Sequence, residues 1–271
     1  TLSLAGFQIS FKRVTEAISA CVPVIGAITF IVMLFIVFGH KDMVYEWLNK
    51  ADVSGDHVLA GKKGFLNPAF FLTWTVLAIG LWSLLGYKMR SISRKSDHHP
   101  LSVEEGKKFM FRNTTWASLF IIWYALTIAA VIPWLWLMSL NARWYSTLFS
   151  WYVFASCFVA GIALISVFVV YMKNKGYLEY TNKEHLHDRG KFQFAFSIFW
   201  TYLWFAQFML IWYANISEET IYFKARAEGA YSGIFWLNLI INFLAPILIY
   251  MSTPSKRNYT VVTFMSVALL F

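Results

Sequence analysis

The chain has 271 residues, of which 59% are hydrophobic, 20% aromatic and only 14% charged. Because soluble domains carry about 25% charged residues, this composition excludes an ordinary soluble domain and predicts a polytopic membrane protein. The two cysteines, Cys21 and Cys157, lie in apolar runs and form no CxxC or Cys/His pattern. They are predicted to pack as small residues, and an iron–sulfur cluster held by this chain is excluded.

In chain order, the apolar runs predict seven transmembrane helices in one integral membrane domain that covers residues 1–271. Their approximate spans are 17–39, 66–87, 114–137, 148–171, 191–214, 232–251 and 261–271. Each of the first six is long enough, at about 1.5 Å per residue, to cross a hydrocarbon core of about 30 Å. The seventh stops with the chain, and we expect a sequence that is incomplete at both ends. The predicted fold class is all-α, a polytopic transmembrane helical bundle.

Lys and Arg residues are distributed unevenly over the loops. Most of the 23 lie on the side of the N-terminal segment, whereas the 14 Asp and Glu divide evenly, so the whole net charge of +9 lies on one face. The positive-inside rule places this face, with loops 88–112 and 173–189, in the cytoplasm. Anionic lipid headgroups are a sufficient partner for this charge, and no nucleic-acid partner is predicted.

The stretch 185–220 is the most unusual part of the chain, because polar residues mark its entry, its interior and its exit. They are His185, His187, Asp188 and Lys191 at the entry, Tyr202, Gln207 and Tyr213 in the interior, and Glu218 and Glu219 at the exit. At about 100° per residue, Lys191, Tyr202 and Tyr213 fall nearly on one face of a helix. Because an unpaired hydroxyl costs several kcal/mol in lipid, this face is predicted to point into the bundle.

Proton transfer along this stretch is one interpretation, although no ionisable residue lies deep in any span. A relay would begin at Asp188 or Lys191 and pass through Tyr202 and water to Tyr213 and Glu218. In the alternative interpretation, Lys191 extends to the interface, Asp188 caps the helix start and the tyrosines belong to the interfacial aromatic belts. The sequence leaves both interpretations open.

Haem bound by two histidines inside the bilayer is excluded, because all six histidines lie at span ends or in loops. A quinone-type ligand needs aromatic walls and one or two hydrogen-bond donors, and 13 Trp with 26 Phe supply such walls everywhere. Asn238 and Asn242 are candidate donors, but hydrogen bonding between helices is the favoured explanation of these two residues.

The central stretch HLHDRGKFQFAFSIFWTYLWFAQFMLIWYANISEET resembles the signature of the NrfD-like membrane subunits of alternative complex III. The resemblance is closest to the second of the two large membrane subunits, the F subunit. The segments LMSLNARWYST, FKRVTEAISACVPVIGAI and GKKGFLNPAFFLTW also fit the order of motifs in that subunit. The resemblance covers most of residues 10–225, and the central motif is its specific part.

This resemblance implies a fold of two four-helix bundles with peripheral spans, about ten helices in all, with about two spans before this chain and one after it. It also implies a cofactor-free, accessory subunit in a respiratory complex that oxidises menaquinol or another quinol, with a scaffolding role and a contribution to a proton path. The expected partners are a second NrfD-like subunit that holds the quinol site, an iron–sulfur subunit, haem c subunits, a terminal oxidase and lipid. The implied location is the bacterial inner membrane, crossed several times.

Single residues carry this resemblance. His187, Asp188, Gly190 and Lys191 match the HDxGK motif of the family. The remaining matches are Trp200, Tyr202, Gln207, Trp212, Tyr213, Asn215, Glu218 and Glu219. One departure matters, because Leu135 stands where the family commonly has an aspartate.

The following turn departs from the family as well. Asn141 and Arg143 replace its usual acidic and histidine residues. A proton path through these positions is therefore not expected in this chain. A secondary transporter or channel subunit is the alternative function, in which Pro23 and Pro246 would mark broken helices.

Overall fold

The computed structural model describes residues 6, 8–39, 44–49, 56–97 and 102–270, without the side chain of Glu218. These residues form helices and turns, and none of them is in a strand. The predicted all-α fold of a polytopic helical bundle is confirmed. His40, His98 and His99, which the sequence places at span ends or in loops, lie outside the described residues.

The α-helices are numbered in chain order. They are α1 Lys12–Ser19, α2 Val22–Gly39, α3 His57–Lys62, α4 Pro68–Lys95, α5 Val103–Leu126, α6 Leu148–Asn174, α7 Lys183–Ala214, α8 Ser217–Ala227, α9 Ser232–Leu239, α10 Ala245–Tyr250, α11 Thr253–Arg257 and α12 Tyr259–Ala268. Short 3₁₀ turns cover Ile9–Phe11, Glu46–Leu48 and Met138–Asn141. Three π-helical segments cover Thr127–Val131, Pro133–Leu137 and Ile240–Leu244.

Six helical segments of the described chain are long and apolar enough to cross a membrane. They are Ile9–Gly39, Pro68–Lys95, Val103–Asn141, Leu148–Asn174, Lys183–Ala214 and Ser232–Tyr250. They match the first six predicted spans, and the chain is a multi-pass membrane protein. The seventh predicted span, 261–271, corresponds to α12, whose ten residues are shorter than a membrane crossing.

Polar side chains cap several helices, and two of these helices, α5 and α7, begin further from the membrane than the apolar runs indicate. The side chain of Asn67 accepts a hydrogen bond from the backbone of Phe70 at the start of α4. Ser102 and Glu105 form a reciprocal capping box at the start of α5. Asn182 and His185 cap α7 in the same way, so α7 begins eight residues before the predicted span.

The third and sixth spans are interrupted by π-helical turns next to prolines. Pro133 opens one such segment, and Pro246 follows another by two residues. A proline lacks the N–H group that would close the preceding α-helical turn, and a widened turn is a common accommodation. In the third span, Thr127 donates a hydrogen bond to the backbone oxygen of Trp123, and it accepts one from Nε1 of Trp82 at 3.0 Å.

The described residues group into two compact units. One unit contains residues 15–143, and the other contains residues 144–270 together with residues 8–14. The first unit has its own core, in which Tyr45, Trp47 and Phe71 form a cluster of three rings beside Leu135.

The second unit is built around α7, which packs against α6, α8, α10, α11 and α12 and against the π-helical segment of the sixth span. Its buried apolar residues fall into small clusters along α7, centred on Leu186, on Trp200 and Leu203, and on Val159 and Ala163 of α6. The helix that the sequence singles out, α7, is therefore the central element of this unit. The side chains on its buried face contact the neighbouring helices.

Candidate functional site: the buried face of α7

One face of α7 is buried along nearly its whole length. Its buried residues are Leu186, Arg189, Gly190, Gln193, Ser197, Trp200, Leu203, Gln207 and Ile211. They follow the three- and four-residue spacing of a single helix face. Four of the nine are polar or charged, although polar groups away from water are unfavourable unless they find partners. This polar face is the candidate functional site.

Gln193 is the best-connected residue of the face. Its Nε2 donates a hydrogen bond to Oγ of Ser266 at 2.8 Å, and its Oε1 accepts one from the hydroxyl of Tyr250 at 2.7 Å. All three side chains are buried. The amide of Gln193 therefore joins α7 to α10 and α12 through two hydrogen bonds in a dry environment, where such bonds are most specific.

Trp200 makes the corresponding connection to α6. Its indole Nε1 donates a hydrogen bond to Oγ of Ser156 at 2.8 Å, and that hydroxyl donates to the backbone oxygen of Tyr152 at 2.9 Å. The rings of Trp200 and Tyr152 also pack with centroids 5.3 Å apart. The hydroxyl of Ser156 is thus both acceptor and donor, which fixes the position of the indole.

Gln207 lies further along the same face and lines a cavity of about 500 Å³. Its Nε2 is buried and has no hydrogen-bond partner among the described residues. The other polar lining residues are Tyr152, Tyr222, Arg226, Tyr231 and Asn238, and the apolar ones include Trp204, Phe223, Ile234 and Phe235. Aromatic walls with an unpaired amide donor suit a flat ligand that carries an acceptor oxygen.

The walls of this cavity are held in place by ring packing. Tyr222 stacks on Trp144 with centroids 4.1 Å apart and planes 11° from parallel. The guanidinium of Arg226 lies 3.6 Å from the centre of the Tyr222 ring on α8, and it also donates to the backbone oxygen of Tyr222. Burial raises the pKa of Tyr222, so its hydroxyl stays protonated near neutral pH and is available as a donor.

The three residues predicted to share one face of α7 do lie on one side, but it is the exposed side. Tyr202 is 64% exposed, Tyr213 is 86% exposed and the side chain of Lys191 is 56% exposed. The prediction that Tyr202 points into the bundle is wrong for this chain. Small and amide side chains, such as Gly190 and Gln193, face the neighbouring helices because they permit closer packing and hydrogen bonding.

The residues at the entry of α7 are also arranged differently from the prediction. Asp188 does not cap the helix start, because the helix begins at Lys183 and is capped by Asn182. Instead, Oδ1 of Asp188 lies 2.7 Å from Nζ of Lys191 in an ion pair one turn apart. Nδ1 of His187 is buried and has no hydrogen-bond partner in the described part of the chain.

The exit residues lie on a separate helix. Glu219 is half-buried in the first turn of α8, where the helix dipole favours a negative charge. Glu218 is in the same turn, and its side chain is not described. Along the axis of α7, Tyr202 is about 16 Å from Lys191 and about 16 Å from Tyr213. Of the relay residues on α7, only Asp188 and Lys191 are therefore in direct contact.

Asn238 and Asn242 were predicted to hydrogen-bond between helices or to bind a ligand. The amide of Asn242 donates to the backbone oxygen of Asn238 at 3.1 Å and to its Oδ1 at 3.3 Å. These bonds lie within one helical segment rather than between helices. Asn238 also lines the cavity beside Gln207, so its ligand role stays a prediction.

The first unit contains the turn where the sequence departs from the family pattern. Leu135 is completely buried in its core. Arg143 forms two ion pairs. Its Nη1 lies 3.0 Å from Oε2 of Glu46, and its Nε lies 2.8 Å from Oδ2 of Asp56. The hydrogen bond from Arg143 lowers the pKa of Asp56 below its usual value. In this chain, position 135 therefore holds an apolar core residue, and position 143 holds an arginine with two surface ion pairs.

Sequence reasoning missed Arg189, Gln193 and Ser197 as members of the site. Their spacing of four residues places them on one helix face, and that spacing was the available signal. Aromatic residues on every side of α7 hide this signal, since no apolar stripe distinguishes a buried face. Only the packing of α6, α10, α11 and α12 identifies which side is buried.

In the described ranges, no group of three or more His, Cys, Asp or Glu side chains is arranged to hold a metal ion. No protein-family model matches the chain, and no curated protein matches it. The function is therefore inferred from the buried face of α7 and from the residues that line it.

Proposed function

We propose that this chain is an integral membrane subunit of a quinol-oxidising respiratory complex of the alternative complex III type, in the bacterial inner membrane. Its role is to support partner subunits that carry iron–sulfur clusters and haem c, without a redox cofactor of its own. The observation that carries the proposal is the position of the family-like motif, because its Gly190, Trp200 and Gln207 lie on the buried face of the central helix.

Gly190 illustrates why the motif needs these residue types. A Cβ atom at this position would lie 2.9 Å from Cγ and 3.1 Å from Cβ of Lys256. Only glycine therefore lets α11 approach α7 this closely. Trp200 fixes α6 through Ser156. These two motif residues contribute to the packing of the unit, which supports a scaffolding role.

Three further motif residues, Trp212, Tyr213 and Tyr202, add exposed aromatic surface to α7. Exposed aromatic patches in a membrane protein are covered by lipid or by another subunit, and aromatic residues are enriched at subunit interfaces. This surface supports a contact with a partner membrane subunit.

The cavity beside Gln207 is the place where this chain itself would contact a quinol. A quinol in this cavity would have aromatic walls that include Trp204 and Tyr222, and the unpaired Nε2 of Gln207 could donate a hydrogen bond to one of its oxygen atoms. In this arrangement the chain contributes binding, and electron transfer belongs to the partner subunits. Menaquinol or another quinol is the proposed substrate of the complex.

The proposal is tested by purifying the tagged chain from its native membrane in a mild detergent. We expect co-purification of subunits with haem c absorption and with the electron paramagnetic resonance signals of iron–sulfur clusters. An unrelated multi-pass protein with the same tag, purified from the same membranes, is the control. A solitary and colourless chain that retains its fold would contradict the proposal.

A second candidate function, a secondary transporter, is favoured by the interrupted spans. The π-helical segments Thr127–Val131 and Ile240–Leu244 each carry a buried polar residue, Thr127 and Asn242. Interrupted helices with polar groups near mid-membrane are a feature of transporters. Substrate uptake into vesicles that contain only this chain would favour this candidate over the first.

A further inference from the structure

Arg189 is the least satisfied charged residue of the described chain. It is 2% exposed, and its Nε and both terminal nitrogens have no hydrogen-bond partner among the described residues. A guanidinium has five N–H donors and stays protonated under physiological conditions. A buried cation without a paired anion is strongly unfavourable, so this arrangement indicates a missing anionic ligand.

The groups around Arg189 do not supply that anion. The ring of Phe11 lies over the guanidinium, with its centre 4.8 Å from Cζ, which covers one face and leaves the in-plane N–H groups unpaired. Tyr250 and Tyr259 are within electrostatic reach of the guanidinium, but the hydroxyl of Tyr250 already donates to Gln193. Neither of these residues carries a carboxylate that could pair with the guanidinium.

A second buried cation lies against the same turn of α7. Lys256 is 7% exposed, its side chain contacts Gly190, and its Nζ donates to the backbone oxygens of Tyr250 and Met251. Backbone oxygens satisfy its donors but do not neutralise its charge. The two buried side chains therefore add two positive charges to this end of the unit.

The two described carboxylates in the first two turns of α7, those of Asp188 and Glu184, already have partners. Asp188 pairs with Lys191 at 2.7 Å, and Glu184 pairs with Arg257 at 2.9 Å. Both pairs are at the surface. None of the described acidic side chains is paired with Arg189, so the local excess of positive charge is built into the fold.

We propose that Arg189 and Lys256 form a binding site for a phosphate group, supplied by an anionic membrane phospholipid. Phosphate oxygens accept two parallel hydrogen bonds from a guanidinium, and they neutralise a neighbouring lysine as well. Arg189 lies six residues beyond the start of α7, about 9 Å along its axis, on the side of the membrane that carries most Lys and Arg. This is a depth at which lipid headgroups meet protein.

The turn that carries Phe11 covers the site. Ile9 in the same turn and Phe192, three residues after Arg189 on α7, are both exposed, and they offer apolar surface for acyl chains. Entry of a phosphate group requires the Phe11 ring to move from the face of the guanidinium. A lipid gains both the ionic contact and the acyl contact, whereas free phosphate gains only the first. This proposal does not depend on the proposed function.

The test is to purify the chain from its native membrane and to measure retained phospholipid by mass spectrometry after extensive detergent exchange. We expect about one anionic phospholipid per chain in the wild type, since a single buried site is proposed. Arg189→Gln should bind it at least about tenfold more weakly, because the charge-assisted hydrogen bonds are lost. Arg189→Lys should be intermediate, since it keeps the charge and loses the planar fork.

Arg257→Gln is the matched control, because it removes a nearby positive charge that is exposed and already paired with Glu184. It should retain the lipid as the wild type does. Equal lipid content in the wild type and Arg189→Gln would overturn the proposal. Equal loss of lipid from Arg189→Gln and from Arg257→Gln would also overturn the proposal. Such a result would indicate that surface charge alone attracts the lipid.

Ligand-dependent stability provides a measurement that needs no variant. Short-chain phosphatidylglycerol should raise the unfolding temperature of the wild-type chain in detergent, and short-chain phosphatidylcholine should not. An equal rise with inorganic phosphate would support the phosphate site and identify the free ion as its source. If neither phosphatidylglycerol nor inorganic phosphate raises the unfolding temperature, the proposal is overturned. A carboxylate of a partner subunit bound to Arg189 in the purified assembly would also overturn it.

Discussion

The hydroxyl of Tyr250 donates a hydrogen bond to Oε1 of Gln193 at 2.7 Å and thereby joins the end of α10 to the buried face of α7. Both side chains are fully buried, and the other end of the amide is held by Ser266 at 2.8 Å. This three-residue network connects parts of the chain that are far apart in sequence. It is therefore a sensitive probe of how the second unit is stabilised.

The first prediction concerns this network. Tyr250→Phe should lower the free energy of unfolding by about 1–3 kcal/mol, because Oε1 of Gln193 is left buried and unpaired. In a double-mutant cycle with Gln193→Leu, the two changes should be coupled by roughly 0.5–1.5 kcal/mol. Denaturant unfolding in detergent measures both values. Tyr213→Phe, at an exposed position, is the control and should change stability little.

The second prediction concerns the close approach of α11 to α7. Gly190→Ala should destabilise the second unit by about 1–3 kcal/mol, because the new methyl group overlaps Lys256. Gly161→Ala on α6 meets no atom within 4 Å and should be neutral or stabilising by up to about 1 kcal/mol, since alanine favours helix. Thermal unfolding of the two variants, compared with the wild type, measures both changes in stability. Equal effects at the two glycines would contradict the packing argument.

The third prediction concerns the surface ion pairs of Arg143 in the first unit. The pKa of Asp56 is lowered by Arg143, so the stabilisation is present above the ordinary aspartate pKa and is lost as the pH falls through the lowered value. The unfolding temperature of the wild type should therefore fall more steeply with acid than that of Arg143→Gln. Parallel pH profiles from neutral pH to about pH 3 would contradict this linkage.

The fourth prediction concerns proton movement along α7. Because Tyr202 is 64% exposed and does not join the buried network, Tyr202→Phe should leave any quinol oxidation and proton release by the proposed complex unchanged. Its effect on stability should stay within about 0.5 kcal/mol, as for other surface changes. Proton release is measured in vesicles that contain the purified complex. Lost proton release at unchanged electron transfer would restore Tyr202 as a member of a proton path.

The fifth prediction is the orientation in the membrane, with loops 88–112 and 173–189 in the cytoplasm. Cys21 and Cys157 are free and exposed, so they are first replaced by serine. In that background, Tyr180→Cys should resist a membrane-impermeant thiol reagent added from the periplasmic side, whereas Tyr231→Cys should react. Both tyrosines are exposed, which makes them a matched pair. The opposite pattern would overturn the orientation predicted from charge.

The sequence by itself determined the helical class and the position of the spans. Hydropathy over twenty residues is a local property, and each span must satisfy its own backbone hydrogen bonds in lipid, so these features do not depend on distant contacts. Even the caps, such as Ser102 with Glu105, are determined within one turn. The structure extends the predicted helices mainly because such caps lie outside the apolar runs.

Only the tertiary structure decided which side of α7 is buried. Tyr202 and Gln207 lie in the same apolar run, and both are polar residues that the sequence marked equally. Packing of neighbouring helices against α7 buried Gln207 and left Tyr202 exposed. Arg189 is the sharpest case, because a charged residue at a span entry is expected at the surface. Its burial results from Phe11 and from neighbouring helices that are distant in sequence, and no local pattern contains those contacts.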